Sequence, residues 1–356
     1  MSAAVAATET GTAHGSIRRE EAQASVGATT NTGACNKLFS FGIMSDVQYA
    51  DIPDGHSFHG IPRYYRGSKH ALHRGVTGWI DQDVDFGMHF GDLIDGYQPK
   101  SESRAVLQAL KAEFARLGKP VYHMLGNHCL YNLPREELNT QLGISGVDGG
   151  SYYSFSPHPR WRFVVLDGYE VSVLGWPAGH PLHEQAKRIL DERNPHENKN
   201  SPEGLVGVAR RFVRFGGGVS AQQVAWLQHQ LADAKAEGQR VIVCCHLPLH
   251  PDTCLGTCLL WNYDEVLKVL QGAGNVAATF AGHIHDDAYA LDETGIHHRV
   301  VNAILETPPG RDCYGWVDVY QDRLECTGVD NMQSYTLPLN SQPVVESSSL
   351  LAQRSL

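Results

Sequence analysis

The chain has no unbroken apolar run of about 18 residues, the length a helix needs to cross a bilayer, so no membrane partner is expected. It is short of positive charge: 29 Lys and Arg stand against 39 Asp and Glu, a formal net charge of −10. A polyanionic backbone suits such a surface poorly, and nucleic acid is not expected as a partner. Cysteine is present, eight in 356 residues, but not in arrangements that staple a small domain or hold a structural zinc. Cys244 and Cys245 are adjacent inside an apolar run, and Cys254 and Cys258 lack a second Cys or His pair at zinc-ribbon spacing. No signal-peptide pattern precedes the domain, so reduced thiols and a cytoplasmic location are expected. Residues 1–36 lack large apolar side chains and are rich in Ala, Thr, Ser and Gly, a composition that predicts disorder. Organellar targeting by this segment stays open, although Glu9, Glu20 and Glu21 count against it and only Arg18 and Arg19 are basic.

What is present is a globular composition, 42% hydrophobic and 19% charged. Apolar runs at 38–45, 86–90, 120–125, 161–166, 240–245 and 276–281 read as strands, with helical patterns between them. One helix is predicted around 102–117; another starts at Ser220, with Gln223 three residues on as a capping box. Further strands are expected at 296–304 and 314–327. The alternation predicts an α/β fold, one domain over 37–340 followed by a tail at 341–356. The stretch 168–218 breaks the rhythm, with Trp176-Pro177 and the triple glycine 216–218, and is expected to form an insertion that caps a site.

Chemistry gathers at the strand ends. "SDVQ" places Asp46 and Gln48 after the first run, "GDLID" places Asp92 and Asp95 after the second, and "GNH" places Asn127 and His128 after the third. His246 closes "VIVCCH", and His283 and His285 close "TFAGHIH". Parallel strands deliver such ends to one edge of a sheet, where a site assembles. Gly91 and Gly126 are expected to let the backbone bend sharply after their strands. Each fragment alone is a common turn former; five in this order, each after an apolar run, point to a polynuclear metal site. An acidic protein acting on anionic substrates needs such a local source of positive charge.

The ordered set D-x-[HQ], GD-x-x-D, GNH, H and GH-x-H, spanning about 38–286, resembles the calcineurin-like metallophosphoesterases. Within them "FGIMSDVQYAD", "RYYR" (63–66), "FGGG" (215–218), "CLLWNY" (258–263) and "FAGHIHD" resemble the manganese-dependent ADP-ribose/CDP-alcohol diphosphatases. The resemblance implies a four-layer α/β/β/α sandwich and two divalent cations, manganese preferred and magnesium admissible. One cation would be held by Asp46, Gln48, Asp92 and His285, the other by Asp92, Asn127, His246 and His283, with Asp92 shared. It implies attack by a hydroxide between the metals on the diphosphate of ADP-ribose, CDP-choline, CDP-ethanolamine or CDP-glycerol, giving a nucleoside monophosphate and a phosphorylated product. His128 would act on the phosphoryl or leaving-group oxygens, oriented by Asp95. A cyclic-nucleotide phosphodiesterase, another phosphoesterase of the superfamily, or a non-catalytic scaffold of this fold are the alternatives. Asp95-Gly96-Tyr97 and "GNHC" depart from the protein-phosphatase pattern.

Phe58 is expected to stack on a nucleobase, with Cys258, Trp261, Asn262 and Tyr263 as the opposite wall and Leu205 closing over it. Ordinary core packing is the stronger expectation for Trp261. Arg63, in "RYYR", is either a solvated turn residue or a phosphate clamp. His89 reads as a hydrogen-bonded core histidine, and "GHPLH" (179–183) as surface. Small nucleotide substrates and a monomeric state are expected.

Overall fold

A computed structural model of the chain describes residues 36–340; the segment 1–36, except its last residue, and the tail 341–356 lie outside them. The chain opens with strand β1 (Phe39–Met44), a two-stranded ribbon of β2 (Gly55–His56) and β3 (Pro62–Arg63), and helix α1 (Gly67–Asp81). Then follow β4 (Phe86–His89), α2 (Ser103–Ala115), β5 (Val121–His123), and the short helices α3 (Asn127–Asn132) and α4 (Arg135–Leu142). A second run holds β6 (Tyr153–His158), β7 (Trp161–Val165), α5 (Pro181–Arg193), α6 (Ala221–Ala236), β8 (Arg240–Cys244), α7 (Tyr263–Ala273), β9 (Val276–Ala281), β10 (Ala288–Leu291) and β11 (His297–Val300). Strands β12 (Cys313–Val319), β13 (Arg323–Asp330) and β14 (Tyr335–Pro338) end it.

Two six-stranded sheets result, ordered β14-β13-β12-β1-β4-β5 and β10-β11-β9-β8-β7-β6. Strands β1, β4 and β5 are mutually parallel, as are β7, β8, β9 and β11. Each group therefore releases its C-terminal ends at one edge. The edges are tied together where Ser45 bridges Ala303 and Leu305 N–H donates to Asp46 O at 3.0 Å.

The alternation of side chains along β1 decides what each face meets. Phe41 stacks on Phe86 (5.4 Å between ring centroids), and both meet Phe163 of the other sheet edge-on at 5.1 and 5.4 Å. Each fully buried phenylalanine contributes about 1.5–3 kcal/mol to this core. Gly42 and Gly87, on the opposite face, leave room for the Trp79 indole of α1; a Cβ at Gly87 would stand 2.5 Å from the ring. Trp79 Nε1 donates to Gly315 O at 2.8 Å, so the one polar atom of this side chain is satisfied within the core. With α6 against β7 and β8 and α7 against β9, these are the contacts that helix–sheet–sheet–helix stacking requires.

Helix α6 starts as predicted, Ser220 Oγ accepting from Gln223 N–H at 3.1 Å, but the capping box is half formed. The Gln223 amide reaches Glu170 Oε2 (2.6 Å) and Asp167 instead, and Glu170 takes over the Ser220 N–H at 2.8 Å. The stretch 168–218 is clipped at its base, where Val171 and Gly218 exchange backbone hydrogen bonds of 2.9 and 3.0 Å. It carries a small core of its own, Val171, Ala186 and Leu190 packed on Trp261.

Candidate metal centre

Seven non-glycine residues among those described have positive φ, and five of them are Asp46, Gln48, Asp92, His283 and His285, at 49, 39, 56, 73 and 66°. Such backbone costs about 1–3 kcal/mol per residue and persists where the surroundings over-determine it. Here the loops after β1 and β4 hold each other: Asp46 N–H donates to Gly91 O, Gln48 N–H to Asp92 O and Asp95 N–H to Tyr49 O, at 3.1, 2.9 and 2.9 Å. The corners turn the side chains back over the strand ends, where Asp46, Gln48, Asp92 and His246 are fully buried.

Asp46, Gln48 and His285 form one group. His285 Nε2 lies 3.4 Å from Asp46 Oδ1 and 2.7 Å from Gln48 Nε2, which also donates to Asp46 Oδ1 at 3.3 Å. The Ser45 hydroxyl and the His283 N–H both donate to Asp46 Oδ2. Burial alone would raise the Asp46 carboxyl; the hydrogen bond from His285 and the charges of His246 and His285 hold it well below the usual range. Burial disfavours charge on His285 too, but Asp46 and Glu306 outweigh it and push the imidazole up to about 9. Gln48 suits either state of that ring, donating through its NH2 to a neutral Nε2 or accepting at Oε1 from a protonated one.

Asp92, His246 and His283 form a second group, their ligand atoms within 4.8 Å of one another. His246 Nε2 is 3.2 Å from both Asp92 Oδ2 and His283 Nδ1, while its Nδ1–H donates to Phe90 O at 2.6 Å. That bond aims Nε2 into the group. Burial opposes the His246 charge, yet Asp92 raises it to about 9; burial and the His246 charge lower His283 to about 3. Asp92 Oδ1 accepts from His128 N–H at 2.8 Å. Asn127 sits beside the group, its Oδ1 accepting from the Tyr169 hydroxyl at 3.0 Å.

Gly91 adopts φ 103° as expected, but Gly126 is extended and needs no bend. Gly126 is required for space: a Cβ there would overlap the Asp92 carboxylate.

The Asp95 carboxylate lies 3.1 Å from His128 Nδ1, yet the hydrogen bond to that nitrogen comes from Gly96 N–H at 3.0 Å. A ring that accepts at Nδ1 carries its proton on Nε2. Asp95 fixes the turn, its Oδ1 accepting from Tyr97 N–H at 2.8 Å, and its charge faces the ring.

The substrate-side expectations are met unevenly. Phe58 is 99% exposed in the turn between β2 and β3, its ring 5.5 Å from that of His59. Leu205 is half-buried in the insertion, and Cys258 half-buried in a short turn of helix, Gly256–Cys258, where burial, with a smaller push from the Asp46 charge, raises its thiol. Trp261 is core, and Asn262 holds the base of the insertion by exchanging hydrogen bonds with Val219, so neither faces a ligand as a wall. Arg63 is no solvated turn residue: its side chain is largely buried with Nε 3.8 Å from Glu306 Oε1. His89 is core but its Nε2 has no hydrogen-bond partner, and His180 caps α5 while stacking on Trp176 at 4.1 Å.

Sequence reasoning missed Tyr169 and Glu306. Tyr169 follows β7, whose end carries no ligand; reading that sixth strand end as the others were read would have found it. Glu306 follows no motif and reaches the site only through the fold. Phe215, at the end of the insertion, stands 6.2 Å from the His283 ring and places the insertion against the site.

Comparison with known proteins agrees with this geometry. The calcineurin-like phosphoesterase profile matches residues 39–287. A manganese-dependent ADP-ribose/CDP-alcohol diphosphatase of Arabidopsis thaliana is 50% identical over 304 residues, 85% of this chain and 98% of its own. One from Homo sapiens is 37% identical over 310 residues, 82% and 90% of the two chains. The crystal structure of a dimetal phosphatase from Danio rerio superposes with a TM-score of 0.82 at 35% identity, covering 86% of this chain and all of that one. With the profile spanning most of the described residues and the strand-end groups in place, the chain belongs to the calcineurin-like phosphoesterase family.

Proposed function

We propose that the protein hydrolyses the diphosphate bond of nucleoside diphosphate conjugates, ADP-ribose and CDP-alcohols such as CDP-choline, to a nucleoside monophosphate and a phosphorylated product. The observation that carries the chemistry is the pair of buried donor groups at the joined strand ends, Asp46–Gln48–His285 and Asp92–His246–His283. The substrate class rests on the relatives.

The residues fit two divalent cations. Gln48 Oε1, Asp92 Oδ2 and His283 Nε2 are buried without hydrogen-bond partners, an arrangement costly unless a cation completes it. Asp46, Gln48, Asp92 and His285 would hold one; Asp92, Asn127, His246 and His283 the other. Two carboxylates and an amide oxygen are hard ligands that favour manganese or magnesium. When bound, such a pair supplies Lewis-acid polarisation and an activated water for in-line displacement at phosphorus.

The chain's own residues do the rest. Asp92 would be the carboxylate shared by the two cations, its Oδ2 beside His246 and its Oδ1 fixed by the His128 N–H. His128, with Nδ1 accepting from the Gly96 N–H, presents its Nε2–H as a hydrogen-bond donor towards a phosphoryl or leaving-group oxygen, and the Asp95 carboxylate stands 3.1 Å from Nδ1. The seven free cysteines among the described residues support a reducing, cytoplasmic setting. No helix among the described residues is long and apolar enough to cross a membrane.

The test is purified protein with manganese or magnesium, screened against ADP-ribose, CDP-alcohols, cyclic nucleotides and aryl phosphates with product identification. Cleavage of the first two to nucleoside monophosphates is expected. Turnover of cyclic nucleotides alone would overturn the substrate class.

A further inference from the structure

One loop touches both Asp46 and His285. After β11 the chain passes Ser45 in parallel register; Ala303 N–H donates to His285 O at 3.4 Å, and Leu305 N–H to Asp46 O at 3.0 Å. Leu305 O in turn accepts from Tyr64 N–H at 2.9 Å, next to Arg63 on the ribbon. From this loop the Glu306 side chain, 16% exposed, reaches in: Oε1 accepts from His285 Nδ1–H at 2.8 Å and lies 3.8 Å from Arg63 Nε.

We propose that Glu306 is a positioning residue for the centre, holding His285 with Nε2 aimed at the Asp46 group and lending it the anionic character that Gln48, a neutral amide, does not supply. A carboxylate that accepts from Nδ1–H fixes the orientation of the ring and strengthens it as a ligand at Nε2. His246, the corresponding imidazole of the other group, has the Phe90 carbonyl, not a carboxylate, accepting from its Nδ1–H. The two groups are thus built differently, one leaning on a carboxylate one bond removed. Arg63 sits against that carboxylate, its Nε 3.8 Å from Oε1 and otherwise without a hydrogen-bond partner, and braces Glu306 from the side away from His285. Because the loop is stitched by its backbone, removing the side chain leaves its path intact.

The inference rests on the metal-binding reading above, and the experiment separates the two. Manganese binding to metal-free wild type, Glu306→Gln and Glu306→Ala is measured by calorimetry and by paramagnetic resonance of free manganese, with thermal melting of each metal-free protein as the folding control. Wild type is expected to bind two equivalents. In Glu306→Ala one site should weaken about 10–100-fold and the other stay unchanged, with a wild-type melting profile. Glu306→Gln, which keeps an acceptor for Nδ1–H, should fall between, and it tests the idea alone if the alanine variant does not fold. Two unchanged sites in both variants, or equal weakening of both sites together with a lowered melting temperature, would overturn the role of Glu306. Failure of wild type to bind manganese would overturn the metal reading itself.

Discussion

At the scale of single residues the centre is defined by which atom faces inward. Gln48 is held at φ 39° with its amide between Asp46 and His285, and a histidine there would bring an imidazole into the same place. Gln48→His is expected to raise metal affinity and let zinc compete better with manganese, because imidazole suits borderline metals and an amide oxygen hard ones. Competition binding followed by metal analysis reads this out; an unchanged preference would remove Gln48 from the ligand set. His128 contacts Asp92 only through its backbone, so His128→Ala should keep both metals while turnover falls by roughly 10²-fold or more. Loss of one metal equivalent in that variant would make the side chain a ligand.

At the scale of elements, the strand-end corners carry the information that the sequence made visible. The runs read at 86–90, 161–166, 240–245 and 276–281 are β4, β7, β8 and β9 within a residue, because apolar strands buried on both faces are unbroken in sequence. The polar residues of these corners were legible for the same reason: a polar residue straight after such a run stands out. What was not legible depends on proximity between distant segments. Glu306 lies 21 residues from His285 in an irregular loop, the Gln223 amide was diverted by Glu170, and Gly126 has ordinary backbone whose need for space shows only once Asp92 is beside it. This yields a prediction: Gly126→Ala should force the Asp92 carboxylate aside, costing about 1–3 kcal/mol in stability and weakening metal binding. Chemical unfolding and a manganese isotherm measure both, and wild-type values in each would show that the turn can yield without moving Asp92.

For the whole molecule, buried neutral histidines set the acid limit. His89 on β4 and His123 on β5 face each other at 5.5 Å in the core; burial pushes His89 down to about 4 and His123 well below its ordinary value. Burial, with the charge of His250 behind it, takes His298 to about 4. The unfolded chain takes up these protons near pH 6.5 and the folded one only near 4, so in that window the unfolded state binds more protons. The stabilising contribution is therefore whole above pH 6.5 and shrinks as pH falls towards 4, by up to about 3 kcal/mol for His89 alone. Urea unfolding of wild type and His89→Leu at pH 7 and pH 5 should show a shallower loss in the variant; parallel losses would place the acid sensitivity elsewhere.

The clip between Val171 and Gly218 has a consequence for engineering. The stretch between those two residues leaves and returns at this clip and brings its own small core, on which Trp261 packs from outside; further ties run from Arg211 Nε to Trp261 O and from Trp261 N–H to Gly217 O. The corners after β1 and β4 lie outside it and are braced by one another. A cassette of different length or sequence spliced between positions 171 and 218, with Gly217 and the partners of Trp261 and Arg211 kept, would leave untouched the backbone hydrogen bonds that brace the Asp46 and Asp92 corners against each other.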